Sequence, residues 1–168
     1  MNKITDMNVT NLDPSKHDAL LGDAHELLVA GILTRFGFEV GLLAAKGAPY
    51  DIWIIAYSDP KKTQRVPLRV QIKTAGTGSV RFVAGTRGGI DRKYISGVKE
   101  YKYSVRDNDL IIGVDKDTLD LYLIPTRFIS KWGKTKSLKK LQILKNKWEL
   151  LLNWNDKYLN DLEKELND

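Results

Sequence analysis

The chain has 168 residues, 42% of them hydrophobic, which is enough for one globular domain with its own core. It contains no cysteine, which excludes disulfide frameworks and cysteine-based zinc sites and leads us to expect a cytoplasmic protein. Lysine and arginine total 27 against 21 aspartate and glutamate, a net charge of +6 that suits a polyanionic partner such as DNA. No apolar run approaches the length of a membrane span, so we expect no membrane partner.

The first third of the chain predicts a helix followed by strands. Asp13 and Pro14 are typical of a helix start, and apolar residues then recur at helical spacing as far as Phe36. Three strands are predicted next, over residues 38–43, 51–57 and 66–74. The polar stretch 58–64 should reverse the chain, so the second and third strands form a hairpin.

The remaining sequence changes character twice. Residues 75–108 are rich in glycine and basic residues, with a short strand over 80–83, and we predict that this segment faces DNA. Two further strands are predicted over 109–115 and 119–125, and apolar spacing over 126–168 predicts a helical C-terminal extension. The prediction is one α/β domain with a mixed sheet and a core over about 14–125.

Two of the predicted strands carry polar residues that suit phosphodiester chemistry. Asp51 opens the second strand and can hold a hard cation through oxygen. Gln71 and Lys73, two apart in the third strand, point to the same face, where the lysine is a compact charge for a phosphate or an attacking hydroxide. An aspartate at a strand entrance is also a common turn cap, and a lysine on an edge strand commonly guards against aggregation.

The order of helix, three strands and further strands, with Pro49-Tyr50-Asp51 and Gln71-Ile72-Lys73, resembles the PD-(D/E)xK nuclease superfamily. The likeness is to its small single-domain branch of homing and restriction endonucleases and Holliday junction resolvases. It implies a restriction-endonuclease-like core in αβββ…β order, with Mg²⁺, or Mn²⁺ in its place. The chain departs from the motif at Gln71, where the family usually has an acid.

Glu26 completes the resemblance. The segment from Gly22 to Ala30 is similar to the first-helix segment in which family members place a glutamate near the metal. The resemblance therefore implies that Asp51, Glu26 and the Ile72 carbonyl hold the metal, that Gln71 completes the shell and that Lys73 assists the attacking water. From the sequence alone, Glu26 fits a solvated helix face equally well.

Basic residues fall into two blocks. For the first, after Lys73, we predict phosphate contacts by residues on the glycine-rich segment, namely Arg81, Arg87, Arg92 and Lys93. For the second, residues 127–147, a solvated surface is favoured slightly over DNA contact. Three tryptophans are predicted to anchor the core, namely Trp132, Trp148 and Trp154.

The predicted function is a metal-dependent DNA endonuclease, site-specific on double-stranded DNA, as in homing or restriction enzymes. One site cuts one strand, so we expect a homodimer or homotetramer, with the C-terminal helices as interface material. Three alternatives stay open: a junction resolvase, an inactive DNA-binding protein of the same fold, and an interaction protein with an acidic partner.

Overall fold

The computed structural model describes residues 8–44, 48–84 and 100–167. The chain opens with helix α1, Pro14–Arg35, which ends one residue before the predicted boundary. Asp13 caps it, since its side chain accepts a hydrogen bond from the Ser15 amide at 3.0 Å. The predicted first helix is therefore confirmed together with its cap.

The strands follow the predicted order. In chain order they are β1 (Val40–Leu42), β2 (Ile52–Tyr57), β3 (Arg65–Ala75), β4 (Ser79–Arg81), β5 (Val83–Ala84), β6 (Tyr101–Lys102), β7 (Leu110–Asp115), β8 (Leu121–Pro125) and β9 (Thr135–Ser137). The prediction of one strand over 80–83 was wrong. Residues there divide between β4 and β5, because β4 pairs with β9 whereas β5 pairs with β6.

Five strands form the central sheet in the order β1-β2-β3-β7-β8. The predicted β2–β3 hairpin is present as an antiparallel pair, while β7 runs parallel to β3. Strand β8 is antiparallel to β7, and every residue of β8 is buried. The sheet is therefore mixed, as predicted, with its parallel pair at the centre.

Helix α1 packs on the sheet through a different set of residues than its sequence pattern indicates. Its buried residues are His25, Val29, Ala30 and Leu33. Leu20 and Leu27, which belong to the apparent apolar pattern, are instead 53% and 61% exposed. Apolar residues surround most of this helix, so spacing alone does not identify the face that packs.

The C-terminal part is less regular than predicted. Three short 3-10 helices, over 126–131, 138–144 and 148–152, accompany β9, and helix α2 (Asp156–Asn167) closes the chain. The three tryptophans pack against the core, as predicted. Among the described residues, no helix is long and apolar enough to cross a membrane.

Candidate active site

The β2–β3 hairpin brings the predicted carboxylate to the predicted polar triplet. Asp51 precedes β2 directly, and its backbone is held on both sides: its amide donates to Val70 O and its carbonyl accepts from the Leu43 amide, both at 2.9 Å. Ile52 pairs with Val70, so one residue further along the antiparallel register Asp51 lies opposite Gln71.

The Asp51 carboxylate is bound to β3 by two donors. Its Oδ2 accepts from the Ile72 amide at 2.6 Å and from Gln71 Nε2 at 2.5 Å. Gln71 Nε2 also donates to the Ile72 carbonyl at 3.2 Å, and the Gln71 residue is only 6% exposed. The Gln71 side-chain amide thus bridges the Asp51 carboxylate and the Ile72 carbonyl, two groups that the resemblance implies as metal ligands.

Helix α1 brings Glu26 to the same place. The preceding residue, His25, is buried, and its Nδ1 lies 2.8 Å from Thr74 Oγ1 on β3, next to Lys73. Burial lowers the pKa of His25, which keeps the ring neutral at neutral pH. This contact fixes the helix on the strand, and it was not foreseen from the sequence, where a lone histidine gives no signal of its partner.

Two half-buried carboxylates, Asp51 and Glu26, determine the electrostatics of the site. Burial, followed by the charges of Asp51 and Asp23, raises the pKa of Glu26 to about 7, against the opposing effect of Lys73. Burial also raises the pKa of Asp51, although the Ile72 amide, Lys73 and Gln71 oppose it. The protein has brought negative groups together at a cost that a cation would offset.

Lys73 lies beside Asp51 and Glu26, and it also lies against an aromatic ring. Its Nζ is 4.9 Å from the centroid of the Tyr103 ring, within the range of a cation–π contact. Tyr103 is 5% exposed, and the charge of Asp51 contributes to the environment of its hydroxyl. Tyr103 could not be predicted from the sequence, because nothing in its local pattern relates it to β3.

A loop over residues 103–109 is hydrogen-bonded to the residues around the site. Asn108 is fully buried, donates from Nδ2 to Pro49 O at 3.0 Å and accepts from Thr126 Oγ1 at 2.5 Å. Arg69 holds the same loop on β3, since its guanidinium donates to Asp109 Oδ1 and Oδ2 at 3.0 and 3.1 Å. The loop therefore contacts the segment that leads into Asp51, and these residues too were missed from the sequence.

Of the predicted DNA contacts, Arg81 lies in the described part of the chain and the others, Arg87, Arg92 and Lys93, lie outside it. Arg81 is on β4 and pairs with Glu100 at 3.1 Å, and Glu100 also pairs with Lys134 at 2.7 Å. Strand β4 lies close to the site, because a Cβ at Gly113 would meet Val80 Cγ2 at 2.5 Å. Gly113 is the partner of Lys73 in the β3–β7 register, so Val80 covers the Lys73 face of the sheet.

Most of the second basic block pairs with acids of this chain. The ion pairs are Arg127–Asp156, Arg127–Glu163, Lys131–Glu163, Lys134–Glu100, Lys145–Asp120 and Lys147–Glu149. Helix α2 supplies the acids for Arg127 and Lys131. This pairing favours a structural role for the Arg127–Lys131 end of the block.

The donor set fits a hard divalent cation. Within residues 8–44, 48–84 and 100–167, no group of three or more His, Asp or Glu side chains could hold a metal ion. The groups that could act as ligands are the carboxylates of Asp51 and Glu26 and the Ile72 carbonyl, while Gln71 turns its Nε2 towards Asp51 and that carbonyl. All of these ligand atoms are oxygens, and Mg²⁺ commonly uses one or two carboxylates and keeps several waters.

Comparison with known proteins bears on the fold. No protein-family model matches the chain, and no curated protein matches it. Among solved structures it is similar to a bacterial homing endonuclease, I-Ssp6803I, with a TM-score of 0.60 and 16% identity. That match covers 81% of this chain and 93% of the other. The mixed α/β fold predicted from the sequence is therefore confirmed as similar to that of a homing endonuclease.

Proposed function

We propose that this protein is a metal-dependent endonuclease that hydrolyses phosphodiester bonds in double-stranded DNA at specific sites. The observation that carries the proposal is that Glu26 of helix α1 lies near enough to Asp51 and Lys73 for their charges to interact, with the pKa of Glu26 raised to about 7 by burial and by Asp51. A fold similar to that of a bacterial homing endonuclease supports it.

The chain's own groups would hold and orient the reactants. Asp51 and Glu26 would hold Mg²⁺ together with the Ile72 carbonyl and the Gln71 side chain. When bound there, Mg²⁺ would supply positive charge near the phosphate and would make a nearby water more acidic. Lys73 directs its ammonium at the attacking oxygen or the phosphate, and it offsets negative charge that develops in the transition state.

DNA would approach over the Lys73 face, where β4 and β9 lie. Arg81 and Lys134 flank Glu100 there, and Lys136 Nζ lies 3.5 Å from the centroid of the Trp132 ring. Arginine and lysine on short strands next to a catalytic centre suit contacts with the phosphate backbone. Arg87, Arg92 and Lys93 lie outside the described residues, and their contacts with DNA stay a prediction from the sequence.

Cutting both strands requires two sites, and we therefore expect a homodimer or homotetramer. Leu159 and Leu162 of helix α2 are buried in the core of this chain, so little of the apolar side of the helix is left for a partner subunit. Helix α1 instead exposes Leu20 and Leu27. Sedimentation of the wild type and Leu27→Glu tests the assembly: a wild type that stays monomeric with DNA contradicts it.

The test of the enzyme is cleavage with capture of the new ends. The protein is incubated with supercoiled plasmid, a four-way junction and genomic DNA, in Mg²⁺ or EDTA, beside Lys73→Ala. Ligation of adaptors to the cut ends of genomic DNA finds rare sites that gels miss. Ends that share one sequence, need Mg²⁺ and disappear in Lys73→Ala support the proposal, whereas cutting only the junction indicates a resolvase.

A second candidate, a DNA-binding protein that has lost hydrolysis, is favoured by one observation. Gln71 Nε2 already donates to Asp51 Oδ2 at 2.5 Å, so that oxygen has its partners without a cation. For this candidate we expect salt-dependent DNA binding with no captured ends and no change in thermal stability on adding Mg²⁺.

A further inference from the structure

Tyr103 places an aromatic ring against Lys73 of the candidate site. Its ring faces Lys73, with Nζ 4.9 Å from the centroid, and the residue is 5% exposed. A buried ring can stabilise an ammonium without neutralising it, unlike a carboxylate. The ring therefore contacts the ammonium without adding a negative charge to it.

Hydrogen bonds fix the backbone around Tyr103, and a second aromatic ring packs against its side chain. The Tyr103 amide donates to Phe82 O at 2.9 Å, between β4 and β5. On the other side, Asp107 Oδ2 accepts from the Ser104 amide at 2.8 Å, and Arg69 donates to Val105 O at 2.9 Å. The Tyr101 ring meets the Tyr103 ring edge-on, with centroids 5.9 Å apart. A ring supported in this way is suited to orienting a flexible lysine.

The hydroxyl of Tyr103 stays protonated because of its surroundings. Burial first, and then the charges of Asp51, Tyr101 and Asp107, raise the pKa of Tyr103 far above its ordinary value. The hydroxyl keeps its proton at every working pH, so it can neither act as a base nor add negative charge beside Asp51. What Tyr103 presents to Lys73 is the face of its ring.

We propose that Tyr103 is a positioning residue whose ring holds the Lys73 ammonium beside the Asp51–Gln71 pair, in place for a phosphate. The inference rests on the proposed nuclease function, because positioning has meaning only if Lys73 acts on the phosphodiester. Tyr103 therefore affects catalysis through Lys73 and makes no direct contact with DNA.

The test compares Tyr103→Phe, which keeps the ring, with Tyr103→Leu, which removes it. Tyr57→Leu is the matched control, since Tyr57 also has a lysine over its ring, with Lys62 Nζ 5.4 Å from the centroid, but lies at the end of β2 that is far from Asp51. Single-turnover cleavage and DNA affinity in EDTA are measured separately on the DNA that the wild type cuts. We expect Tyr103→Leu to cut about tenfold more slowly with unchanged affinity, and Tyr103→Phe and Tyr57→Leu to stay within about threefold of the wild type.

Two results would overturn the inference: Tyr103→Leu that cuts at the wild-type rate, or Tyr103→Phe that loses as much as Tyr103→Leu. If Tyr103→Leu does not fold, Tyr103→Met replaces it, because methionine fills irregular space without an aromatic face. Rescue by phenylalanine is the readout that a merely structural hydroxyl contact would not give.

A stability cycle separates failure of this inference from failure of the proposed function. Urea unfolding is measured for Tyr103→Leu, Lys73→Met and the double variant, with no DNA or metal present. If the ring holds the ammonium, the effects on the unfolding equilibrium are non-additive by about threefold or more. Coupling without any cleavage by the wild type overturns the nuclease and the positioning role together, whereas cleavage without coupling overturns the role of Tyr103 alone.

Discussion

Gln71 donates its side-chain amide to Asp51 Oδ2 at 2.5 Å, at the position where the resembling nucleases usually carry an acid. The Gln71 amide supplies a hydrogen-bond donor that a carboxylate cannot supply, and it adds no charge to a buried position. Glutamine at this position also removes a negatively charged metal ligand. Gln71 therefore favours the metal-free fold over tight metal binding.

Gln71→Glu should reverse that balance. In EDTA we expect the variant to lose about 1–3 kcal/mol of unfolding free energy, because it removes a hydrogen bond and brings a carboxylate against Asp51. With Mg²⁺ it should gain more stability than the wild type does. Urea unfolding with and without Mg²⁺ measures both effects, and Gln71→Met is the control that loses the amide without adding charge. A variant as stable as the wild type in EDTA would contradict this account.

Asp51→Asn should separate stability from activity. Asparagine keeps an oxygen to accept from the Ile72 amide, and it removes the charge whose burial raises the pKa of Asp51. We expect metal-free stability equal to or above that of the wild type, no stabilisation by Mg²⁺, and cleavage reduced at least about a hundredfold. Asp23→Asn, which removes a nearby exposed charge, should keep the response to Mg²⁺. Mg²⁺ stabilising Asp51→Asn fully would exclude Asp51 as a ligand.

Glu26 should make the metal-free protein less stable as the pH rises. Its pKa is about 7 in the folded chain, because of burial, Asp51 and Asp23, and about 4.3 in an unfolded one. Between these values the folded state binds more protons, so the free energy of unfolding falls with rising pH and levels off above about 7. The side chain is partly exposed, so we expect a loss of the order of 1 kcal/mol.

The measurement is urea unfolding in EDTA from pH 4 to 8, expressed as the difference between the wild type and Glu26→Gln. The difference is needed because burial lowers the pKa of His25, which has the opposite effect on stability in the same range. Asp51 titrates in both proteins, although its coupling to Glu26 is lost in the variant. Identical pH dependence of the two proteins would show that Glu26 is not held among these charges.

The strand pair that carries the site could be predicted from sequence because its rules are local. Alternation puts Gln71 and Lys73 on one face, and the polar turn between two apolar runs makes them a hairpin that brings Asp51 alongside. The loop over 103–109 could not be predicted in this way. Asn108 contacts Pro49, 59 residues away, and Thr126, 18 residues away, and no spacing rule relates such positions.

Glu100→Gln should strengthen DNA binding. Two cations, Arg81 and Lys134, share this carboxylate, and Lys134 and Arg81 lower the pKa of Glu100, so it is ionised at neutral pH. Removing the charge of Glu100 makes Arg81 and Lys134 available to phosphates. We expect affinity to rise by about fivefold at low salt and the dependence on salt to steepen by about one counterion. Fluorescence anisotropy across a salt series measures both quantities.

Glu163→Gln is the matched control for that experiment. Glu163 also serves two cations, with Lys131 at 3.0 Å and Arg127 at 3.9 Å, but it lies on helix α2. If DNA runs over β4 and β9, the Glu163 variant should bind DNA as the wild type does. Tighter binding by Glu163→Gln alone would move the DNA surface to the C-terminal helix.

Asn108 should prove necessary for the position of Asp51. Asn108→Ala leaves the Pro49 carbonyl without its side-chain donor and removes the oxygen to which the buried Thr126 hydroxyl donates, which should cost about 2–3 kcal/mol of unfolding free energy. Asn108→Asp keeps an oxygen for Thr126 and loses the donor to Pro49. Because Pro49 leads directly into Asp51, we expect the aspartate variant to show a weaker Mg²⁺-induced rise in melting temperature and slower cleavage at a given stability. Thr126→Val, which disturbs only the contact between Thr126 and Asn108, provides the comparison. If Thr126→Val impairs the Mg²⁺ response as much as Asn108→Asp does, the contact with Pro49 is not what positions the Asp51 carboxylate.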